Sequence, residues 1–340
     1  AASDVYKRQA RGVLWRAERM SLPESTDVSG AAGRTILVTG GAGFIGSHVV
    51  DAYLGLGHRV VVVDNFSSGR RANVNPKAQV YELDVCEGRL GEVFAQSKPS
   101  VVSHHAAQTE VGRSVLDPQK DALVNILGTL AVLQACVQYG VGKVVLASSG
   151  GTVYGNPRAL PVKEEHPLLP ISPYGVAKAA GEHYLSYYAQ AYGLCCAVLR
   201  YGNVYGPRQR PDGESGVIAI FANKMLSGEP PTIYGTGENV RDYVYIEDVV
   251  EINVRLLEGD AGGIWNVGTG VGTTVNEIYQ ALQAVTGFRG EAQRAEARAA
   301  EVKQVVLDVS EARAALGWQA RTSLADGLAK YVQYLRSGGN

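Results

Sequence analysis

A glycine-rich turn between an apolar strand and a helix is the feature that most constrains the fold of this chain. Residues 35–39 form a short β-branched run, and the sequence Gly-Gly-Ala-Gly-Phe-Ile-Gly at 40–46 follows it without a gap. Apolar residues then recur at helical spacing until a break at Gly55 or Gly57. The next apolar run, 59–63, ends in an aspartate about twenty positions beyond the glycines. This order of strand, turn, helix and strand predicts a βαβ unit that binds a dinucleotide.

Each glycine of the turn has a physical task. Gly40 permits the tight turn, Gly43 lets backbone N–H groups approach a pyrophosphate, and Gly46 lets the helix pack on the strand. The positive end of the helix dipole adds to the attraction for phosphate. Asp64 can accept both hydroxyls of an adenosine ribose, which favours NAD over NADP because a 2′-phosphate would face its charge. Because two arginines lie close by at 70–71, NADP stays the alternative cofactor.

Strands and helices continue to alternate beyond this unit. Further strands are predicted at 79–83, 100–104 and 143–147, with helices around 88–96 and 122–139. Such alternation predicts an α/β fold, namely a Rossmann-type doubly wound parallel sheet with a smaller α/β substrate-binding lobe. Ligands bind beyond the carboxyl ends of such strands, so 84–85 and 106–107 are expected to line the cofactor. Asp84 has the alternative of serving as a turn or cap residue.

A tyrosine and a lysine follow the strand at 143–147. Ser172 is a plausible N-cap for a long helix up to Tyr192, and Tyr174 and Lys178 lie four positions apart on one face of it. A tyrosine hydroxyl must lose about three pKa units, roughly 4 kcal/mol, to act as a base at neutral pH. A cation about 5–6 Å away supplies roughly 3 kcal/mol of this. The pair therefore predicts a tyrosine base assisted by lysine and by the positive nicotinamide ring.

Composition excludes several classes of partner. Lys plus Arg number 32 against 33 Asp plus Glu, so the net charge of −1 creates no field for nucleic acid or an anionic membrane. No apolar run approaches the roughly 20 residues of a membrane helix, and no secretory h-region follows the N-terminus. The four cysteines have no metal-binding spacing and are expected to be reduced thiols. These features predict a cytoplasmic protein with a small-molecule partner.

Two histidines end the strand at 100–104. His104 and His105 lack a cysteine or carboxylate at suitable spacing, so they are expected to pack at the strand end and the cofactor rim. No metal site is predicted.

With these residues in place, the chain resembles the extended short-chain dehydrogenase/reductase family from about Arg34 to its C-terminus. The motifs that carry the resemblance are TGGAGFIG at 39–46, DN at 64–65, HHAAQ at 104–108, Asn125, SSGGTVYG at 148–155, SPYGVAK at 172–178, LRYGNVYGPRQ at 199–209, GTGENVRDYVYIEDV at 235–249 and LGW at 316–318.

The resemblance implies a role for each residue of the catalytic group. Tyr174 would be the base, Lys178 would orient the nicotinamide ribose, and a Ser or Thr would hydrogen-bond the reacting sugar hydroxyl. Similar enzymes carry that hydroxyl residue where this chain has Gly150, so Ser149 is expected to supply it. Ser148 and Thr152 are the less favoured alternatives.

The resemblance also implies the binding residues. Those expected to bind NAD are Gly40, Gly43, Phe44, Ile45, Gly46, Asp64, Asn65, Asp84, Val85, Ala106, Ala107, Gln108, Asn125, Tyr174, Lys178 and Tyr201. Those expected to bind substrate are Ser149, Thr152, Asn203, Val217, Ile233, Tyr234, Arg241, Arg298 and Glu301. Among the latter, Asn203 and Arg241 would hold a diphosphate, Arg298 would contact phosphate, and Val217 with 233–234 would enclose a uracil; Arg208 is a further candidate fork.

The expected reaction follows from what stands beside Ser149. Family members that dehydrate sugars place a carboxylate just before Val-Tyr-Gly to expel a hydroxyl, whereas this chain has Gly151-Thr152. The resemblance therefore implies NAD-dependent inversion at C4 of a UDP-hexose through a 4-keto intermediate. Val305 replaces a bulky tyrosine of related enzymes, which predicts room for a 2-acetamido group. The alternatives are a UDP-glucuronate 4-epimerase or related enzyme, and a catalytically silent NAD-binding sensor.

The predicted domain organisation separates an N-terminal extension from two lobes. Residues 1–33 are expected to be a disordered extension, in which 1–19 precede the true start of the protein. The NAD-binding domain is expected at 34–203, with 240–272 returning to it. The substrate lobe takes the remaining segments, 204–239 and 273–337. The resemblance implies a homodimer, for which the tyrosines at 184, 187, 188 and 192 offer a helix face.

Overall fold

The computed structural model of the protein describes residues 33–211, 216–257, 259, 261–297 and 302–339. The predictions about the N-terminal extension at 1–33, apart from Gly33, and those about Arg298 and Glu301 lie outside these residues.

Strands and helices alternate along the described chain. The strands are β1 (Thr35–Thr39), β2 (Arg59–Asp64), β3 (Gln79–Glu82), β4 (Val101–His104), β5 (Lys143–Ser149), β6 (Cys195–Tyr201), β7 (Asn203–Tyr205), β8 (Thr232–Tyr234), β9 (Val240–Tyr245), β10 (Gly263–Val267), β11 (Gly272–Thr274) and β12 (Gln293–Ala295). The helices are α1 (Phe44–Gly55), α2 (Leu90–Ser97), α3 (Val111–Leu116), α4 (Pro118–Ala122), α5 (Gly128–Gln138), α6 (Pro173–Tyr192), α7 (Val217–Leu226), α8 (Ile246–Arg255), α9 (Val275–Thr286), α10 (Ser310–Leu316) and α11 (Leu324–Arg336). A π-helical turn, Leu123–Leu127, joins α4 to α5.

The largest sheet has seven strands in the order β10-β6-β5-β4-β1-β2-β3, and every pair in it is parallel. Ile36 and Val38 face a core cluster with α1, whereas Leu37 faces the cluster that contains α2 and α5. Both faces are therefore covered by helices, which is the doubly wound α/β arrangement. The predicted fold class is confirmed.

Two small sheets lie beyond the main one. β7 pairs in parallel with β9, which pairs antiparallel with β11, and β8 pairs with β12. Side chains of β7, β8 and β9 share a large core with α7, α8, α9 and α11. The described residues form one compact unit, so the division into two lobes stays a prediction. In that scheme the segment 240–272 is split, because β10 joins the main sheet and β9 does not.

The helical run Pro118–Gln138 is long and apolar enough to cross a membrane by length and composition, with a mean hydropathy of 1.4. This corrects the expectation that no apolar run approaches that length. In the structure 44% of the run is buried, and Val132, Leu133 and Cys136 lie in the core with α2 and α6 nearby. All four cysteines of the chain are free thiols.

Candidate active site

The carboxyl ends of the parallel strands bring most of the predicted cofactor residues to one edge of the main sheet. The glycine turn follows β1, Asp64 ends β2, and the segment 105–108 follows β4. Ser149 ends β5 beside Tyr201, the last residue of β6. Because parallel strands all end at the same edge, residues that are far apart in sequence meet there.

The glycine turn is shaped by close backbone contacts. Gly40 has a φ of +68°, and a Cβ on it would lie 2.6 Å from the backbone nitrogen of Ala106. A Cβ on Gly46 would lie 2.2 Å from the carbonyl oxygen of Gly40. Gly43 is the N-cap of α1 and provides no side-chain cap, so within the described chain the first-turn N–H groups of α1 receive no capping side chain. Such a helix terminus is suited to an anionic pyrophosphate.

Asp64 joins the turn to the loop after β2. Its Oδ2 accepts the Ala42 N–H at 2.9 Å and its Oδ1 accepts the Phe66 N–H at 2.8 Å. Burial raises the pKa of this carboxyl, and the two N–H donors oppose that rise. Each carboxylate oxygen keeps a further lone pair for a ribose hydroxyl. Arg71 is engaged with Glu82 and lies over the Phe66 ring, so this arginine already has an anionic partner, in keeping with NAD over NADP.

The loops after β3 and β4 carry the next predicted residues. Asp84 accepts hydrogen bonds from the Cys86 N–H at 2.9 Å and from the Asn65 side-chain amide at 2.7 Å. These contacts are those of a turn residue, which was the alternative prediction for Asp84. Val85 is buried in the core. The exposed Asn65 and the half-buried Asp84 are therefore bonded to each other at the carboxyl edge of the main sheet.

A polar platform connects the β4 loop to the π-helical turn. The Gln108 N–H donates to Asn125 Oδ1, and the Asn125 side-chain amide donates to the Gln108 carbonyl, both at 2.9 Å. The side chains of both also donate to Asp121 Oδ1 at 2.9 Å. Ala106 N–H donates to Thr39 Oγ1 at 3.2 Å. Sequence reasoning missed Asp121, which is 1% exposed and whose Oδ2 has no partner among the described residues.

The histidines at the end of β4 hydrogen-bond within the fold. His104 Nδ1 is 2.6 Å from Thr39 Oγ1 and its Nε2 is 3.1 Å from Thr129 Oγ1, while His105 Nε2 is 2.9 Å from Ser103 Oγ. Burial, with the nearby Lys178 charge, lowers the pKa of both rings to about 3. Neutral rings of this kind serve as packing and hydrogen-bonding groups at the strand end.

The predicted catalytic helix is confirmed over Pro173–Tyr192. The Ser172 hydroxyl caps it by accepting the Gly175 N–H at 3.2 Å. Tyr174 and Lys178 share one face, with the Lys178 amine 5.7 Å from the centre of the tyrosine ring. Lys178 Nζ donates to the Ala147 carbonyl at 2.9 Å. The helix therefore brings both residues against the end of β5.

Burial dominates the protonation of this pair. It raises the pKa of the Tyr174 hydroxyl well above its usual value; a hydrogen bond with the Ser149 side chain opposes the rise and the Asp121 charge adds to it. Burial lowers the pKa of Lys178 to about 8, while Asp121 and Glu182 raise it. The surrounding side chains therefore do not by themselves produce the expected fall of the tyrosine pKa; a further positive group beside the hydroxyl is required.

The three candidate hydroxyls have different surroundings. Ser148 is buried and donates to Glu182, whereas Ser149 hydrogen-bonds with Tyr174. Thr152 Oγ1 is buried and has no partner among the described residues. A Cβ on Gly150 would lie 2.8 Å from the Leu307 side chain and 2.9 Å from the Arg200 carbonyl. A hydroxyl residue at 150 would therefore crowd Leu307 and the Arg200 carbonyl, and Ser149 is the serine that contacts the tyrosine.

The predicted substrate residues are only partly gathered. A Cβ on Gly151 would lie 3.4 Å from Asn203 Oδ1 and 3.9 Å from Ser149 Oγ, so these two side chains flank the same small space. Arg241 is half-buried on β9 and donates to the Val240 carbonyl at 2.9 Å. Arg208, by contrast, pairs with Asp51 of α1 at 2.7 Å.

The remaining predicted residues are held mainly by the core. Ile233 is 1% exposed and its side chain faces the core, while Tyr234 is exposed and Val217 is half-buried. Tyr201 is buried, and its hydroxyl accepts the Asn253 amide at 2.9 Å. Val305 is buried in a cluster with Tyr154, Val162 and Leu307.

Sequence reasoning also missed a buried ion pair. Arg200 on β6 and Glu182 on α6 lie 2.6 Å apart and are 3% and 2% exposed. Two signals could have found them. A lone arginine interrupts the apolar strand, and Glu182 lies four residues beyond Lys178 on the same helix face.

The dinucleotide turn and the Tyr-Lys-Ser group together define an enzyme of the short-chain dehydrogenase type. The NAD dependent epimerase/dehydratase family matches residues 36–268, so the chain belongs to that family.

Three solved structures show the same architecture. UDP-glucose 4-epimerase of Thermotoga maritima, solved with UDP-glucose, is 46% identical with a TM-score of 0.88, covering 89% of this chain and 99% of that one. The Thermus thermophilus enzyme, a UDP-glucose 4-epimerase solved with NAD, is 45% identical with a TM-score of 0.86 over 89% and 99%. UDP-N-acetylglucosamine 4-epimerase of Methanobrevibacter ruminantium, solved with UDP-N-acetylmuramic acid, is 32% identical with a TM-score of 0.86 over 90% and 99%.

The residues present fit NAD. The turn leaves no room for side chains at Gly40 or Gly46, the start of α1 has no capping side chain within the described chain, and Asp64 stands where the ribose hydroxyls are expected. The cofactor of the family is NAD.

Proposed function

We propose that this enzyme inverts the configuration at C4 of a UDP-hexose through a transient 4-keto sugar. One observation carries the proposal. The Tyr174 hydroxyl, Lys178 and Ser149 meet at the end of β5, and the adjoining residues 150–152 are Gly, Gly and Thr, with no carboxylate. Removal and return of hydrogen at one carbon need a single base, whereas expulsion of a hydroxyl needs an added acid. The two relatives above that are 45–46% identical carry the 4-epimerase name.

The residues of the site have separate tasks in this mechanism. NAD, when bound, supplies the hydride acceptor. Tyr174 takes the proton from the 4-hydroxyl and returns it after the sugar turns over, while Ser149 holds the same oxygen by a hydrogen bond. The protonated amine of Lys178, fixed by the Ala147 carbonyl, stabilises the tyrosinate and orients the nicotinamide ribose. A positively charged nicotinamide beside the Tyr174 hydroxyl would lower the pKa of that hydroxyl, which burial raises.

Charge and shape on the substrate side suit a nucleoside diphosphate. Asn203 flanks the small space beside Ser149, and Arg241 on β9 offers a guanidinium for a diphosphate that carries about two negative charges. We place the uracil beside Val217 and β8, where Tyr234 is exposed.

A 2-acetamido group is included in the proposed substrate range. Val305 has a much smaller side chain than tyrosine, and the related M. ruminantium enzyme carries the name UDP-N-acetylglucosamine 4-epimerase. The UDP-glucuronate reaction is the rival chemistry at the same carbon. The carboxylate of that sugar would require a positive group near Thr152. The Thr152 hydroxyl is neutral and has no hydrogen-bond partner among the described residues.

A substrate panel tests the proposal. UDP-glucose, UDP-galactose, UDP-N-acetylglucosamine and UDP-glucuronate are each incubated with the enzyme, and proton NMR reports the configuration at C4. Interconversion of the first two is expected. A silent sensor would bind NAD and leave all four unchanged, and turnover of UDP-glucuronate alone would favour the rival reaction. Unchanged UDP-N-acetylglucosamine would refute only the acetamido prediction.

We also propose that the enzyme is a homodimer joined through α3, the π-helical turn and α6. Large apolar side chains are exposed along this surface, including Leu116 at 88%, Leu127 at 54% and Tyr187 at 55%. A second copy would cover them. Leu127→Glu should yield a monomer by analytical ultracentrifugation. Val271→Glu, at a residue that is 61% exposed elsewhere, should leave the dimer intact. A monomeric native enzyme would contradict this.

A cytoplasmic location is proposed as well. It is supported by the free thiols and the near-neutral net charge. Fractionation of cells with an antibody to the native protein tests it, and recovery in the membrane fraction would refute it.

A further inference from the structure

The face of α6 that carries Tyr174 and Lys178 continues to Glu182, so three residues spaced by four meet the end of β5. Lys178 holds the Ala147 carbonyl, and Tyr174 hydrogen-bonds with Ser149. The helix thus contacts the residues on both sides of Ser148.

Ser148 itself is held by a buried ion pair. Its hydroxyl donates to Glu182 Oε1, and Arg200 donates to both oxygens of the same carboxylate at distances between 2.6 and 3.1 Å. Ser148 and Arg200 are direct partners across β5 and β6. All three side chains are buried. Removing one partner of such a pair leaves an uncompensated buried charge, so this arrangement is strongly fixed.

The guanidinium is anchored on its other side too. Arg200 Nη1 donates to the Tyr154 hydroxyl at 2.7 Å and to the Glu164 carbonyl at 2.9 Å. The Tyr154 hydroxyl donates in turn to Asn266 Oδ1 at 2.7 Å. The carboxylate of Glu182 therefore cannot swing away without breaking several buried hydrogen bonds.

Resting on the proposed epimerase function, we propose that Ser148, Glu182 and Arg200 form a positioning unit for this reaction. The unit fixes the last residues of β5 so that the Ser149 hydroxyl stays against Tyr174. Ser148 is thereby a positioning residue, because its hydroxyl donates to Glu182, and the catalytic hydroxyl is that of its neighbour Ser149. Small displacements of a reacting group lower rates steeply, which gives the unit its value.

Ser148→Ala, compared with Ser97→Ala, tests this assignment. Ser97 is equally buried and its hydroxyl donates to the Val93 carbonyl at the end of α2, remote from the site in the fold. For Ser148→Ala kcat should fall about tenfold while KM changes less than about twofold, because the interaction acts on the geometry of reaction. Ser97→Ala should keep its kcat while losing similar thermal stability. Equal kcat in the two variants, or a loss confined to KM, overturns the assignment.

Glu182→Gln gives a second measurement on the same carboxylate. The groups that face Lys178 are Glu182 and Tyr174 on its own helix, Asp121 from α4, and His104 and His105 at the end of β4. Loss of the Glu182 charge lowers the pKa of Lys178, so the alkaline limb of the kcat profile should move to lower pH, and the plateau kcat should fall as in Ser148→Ala with KM little changed. A folded variant that keeps the native plateau kcat overturns the assignment, wherever the limb lies. A native enzyme without C4 inversion would instead refute the proposed function itself.

Discussion

The two ends of the site are built from different materials. At β1 and β2 lies the cofactor edge, which we call the backbone edge. It consists of glycines that leave no room for Cβ atoms and of the Asp64 carboxylate, which accepts N–H groups from the turn and from the loop after β2. At β5 and α6 lies the catalytic edge, which we call the side-chain edge. It consists of buried, charged side chains, and Lys178, Glu182 and Arg200 are all less than a tenth exposed.

This difference predicts how each end responds to change. The backbone edge is sensitive to added volume, and its glycines and amides do not titrate near neutrality; the carboxyl of Asp64 is the titratable group that it adds. The side-chain edge is sensitive to charge and to pH, because buried ionisable groups have displaced pKa values. The predictions below separate the two kinds of sensitivity.

Tyr174→Phe should have the largest effect. Loss of the hydroxyl removes the base, so kcat for C4 inversion should fall by about a thousandfold or more while UDP affinity stays within about twofold. The measurements are NMR of turnover and calorimetry with UDP. Ordinary turnover by the variant would defeat the mechanism.

Gly46→Ala should damage the backbone edge without touching a charged group. A Cβ there would lie 2.2 Å from the Gly40 carbonyl oxygen, so the turn must move, and the NAD retained after purification should fall by about tenfold or more. Gly55→Ala is the matched control, since a Cβ at the end of α1 meets nothing within 4 Å. Bound NAD is assayed after denaturation, and equal NAD content in both variants would contradict the account of the turn.

Gly150→Ser restores the hydroxyl that related enzymes carry, and it should be harmful here. The new Cβ would meet Leu307 at 2.8 Å and the Arg200 carbonyl at 2.9 Å, so stability should fall by about 1–3 kcal/mol. Gly88→Ser, at a position with nothing within 4 Å, should change little. Denaturant unfolding measures both. A Gly150→Ser variant as stable as the native enzyme would contradict the close packing around Gly150.

The pH dependence on the alkaline side should come from the side-chain edge. Lys178 acts as a cation and burial lowers its pKa to about 8, so kcat should fall as pH rises through that value. NAD content should stay constant over the same range, because the glycine turn does not titrate. Asp121→Asn removes a carboxylate that raises the pKa of Lys178, so its fall in kcat should begin at lower pH. A flat native profile above pH 8 would contradict this.

The backbone edge was fully predictable because each of its parts has a local signature. Glycine spacing after a β-branched run specifies the turn, and the aspartate at the end of the next strand completes it. The long helix was also predicted with Ser172 as its N-cap and with its observed end at Tyr192.

The side-chain edge was predictable only in part. Tyr174 and Lys178 share a helix and reveal themselves by spacing, but Arg200 reaches Glu182 through the pairing of β5 with β6, which no local pattern encodes. The role of Gly150 likewise depends on Leu307, which is far away in sequence. The length of the apolar run at 118–138 was misjudged because its charged residues, Lys120 and Asp121, stand near its start.

The most direct test of C4 inversion at one closed site is the reaction in deuterated water. UDP-galactose is incubated with purified enzyme and no added NAD, and proton and deuterium NMR follow C4, C5 and C6. We expect UDP-glucose whose C4 hydrogen is still protium, because the hydrogen that leaves C4 returns to it. Deuterium at C4, C5 or C6, or no interconversion at all, would contradict it.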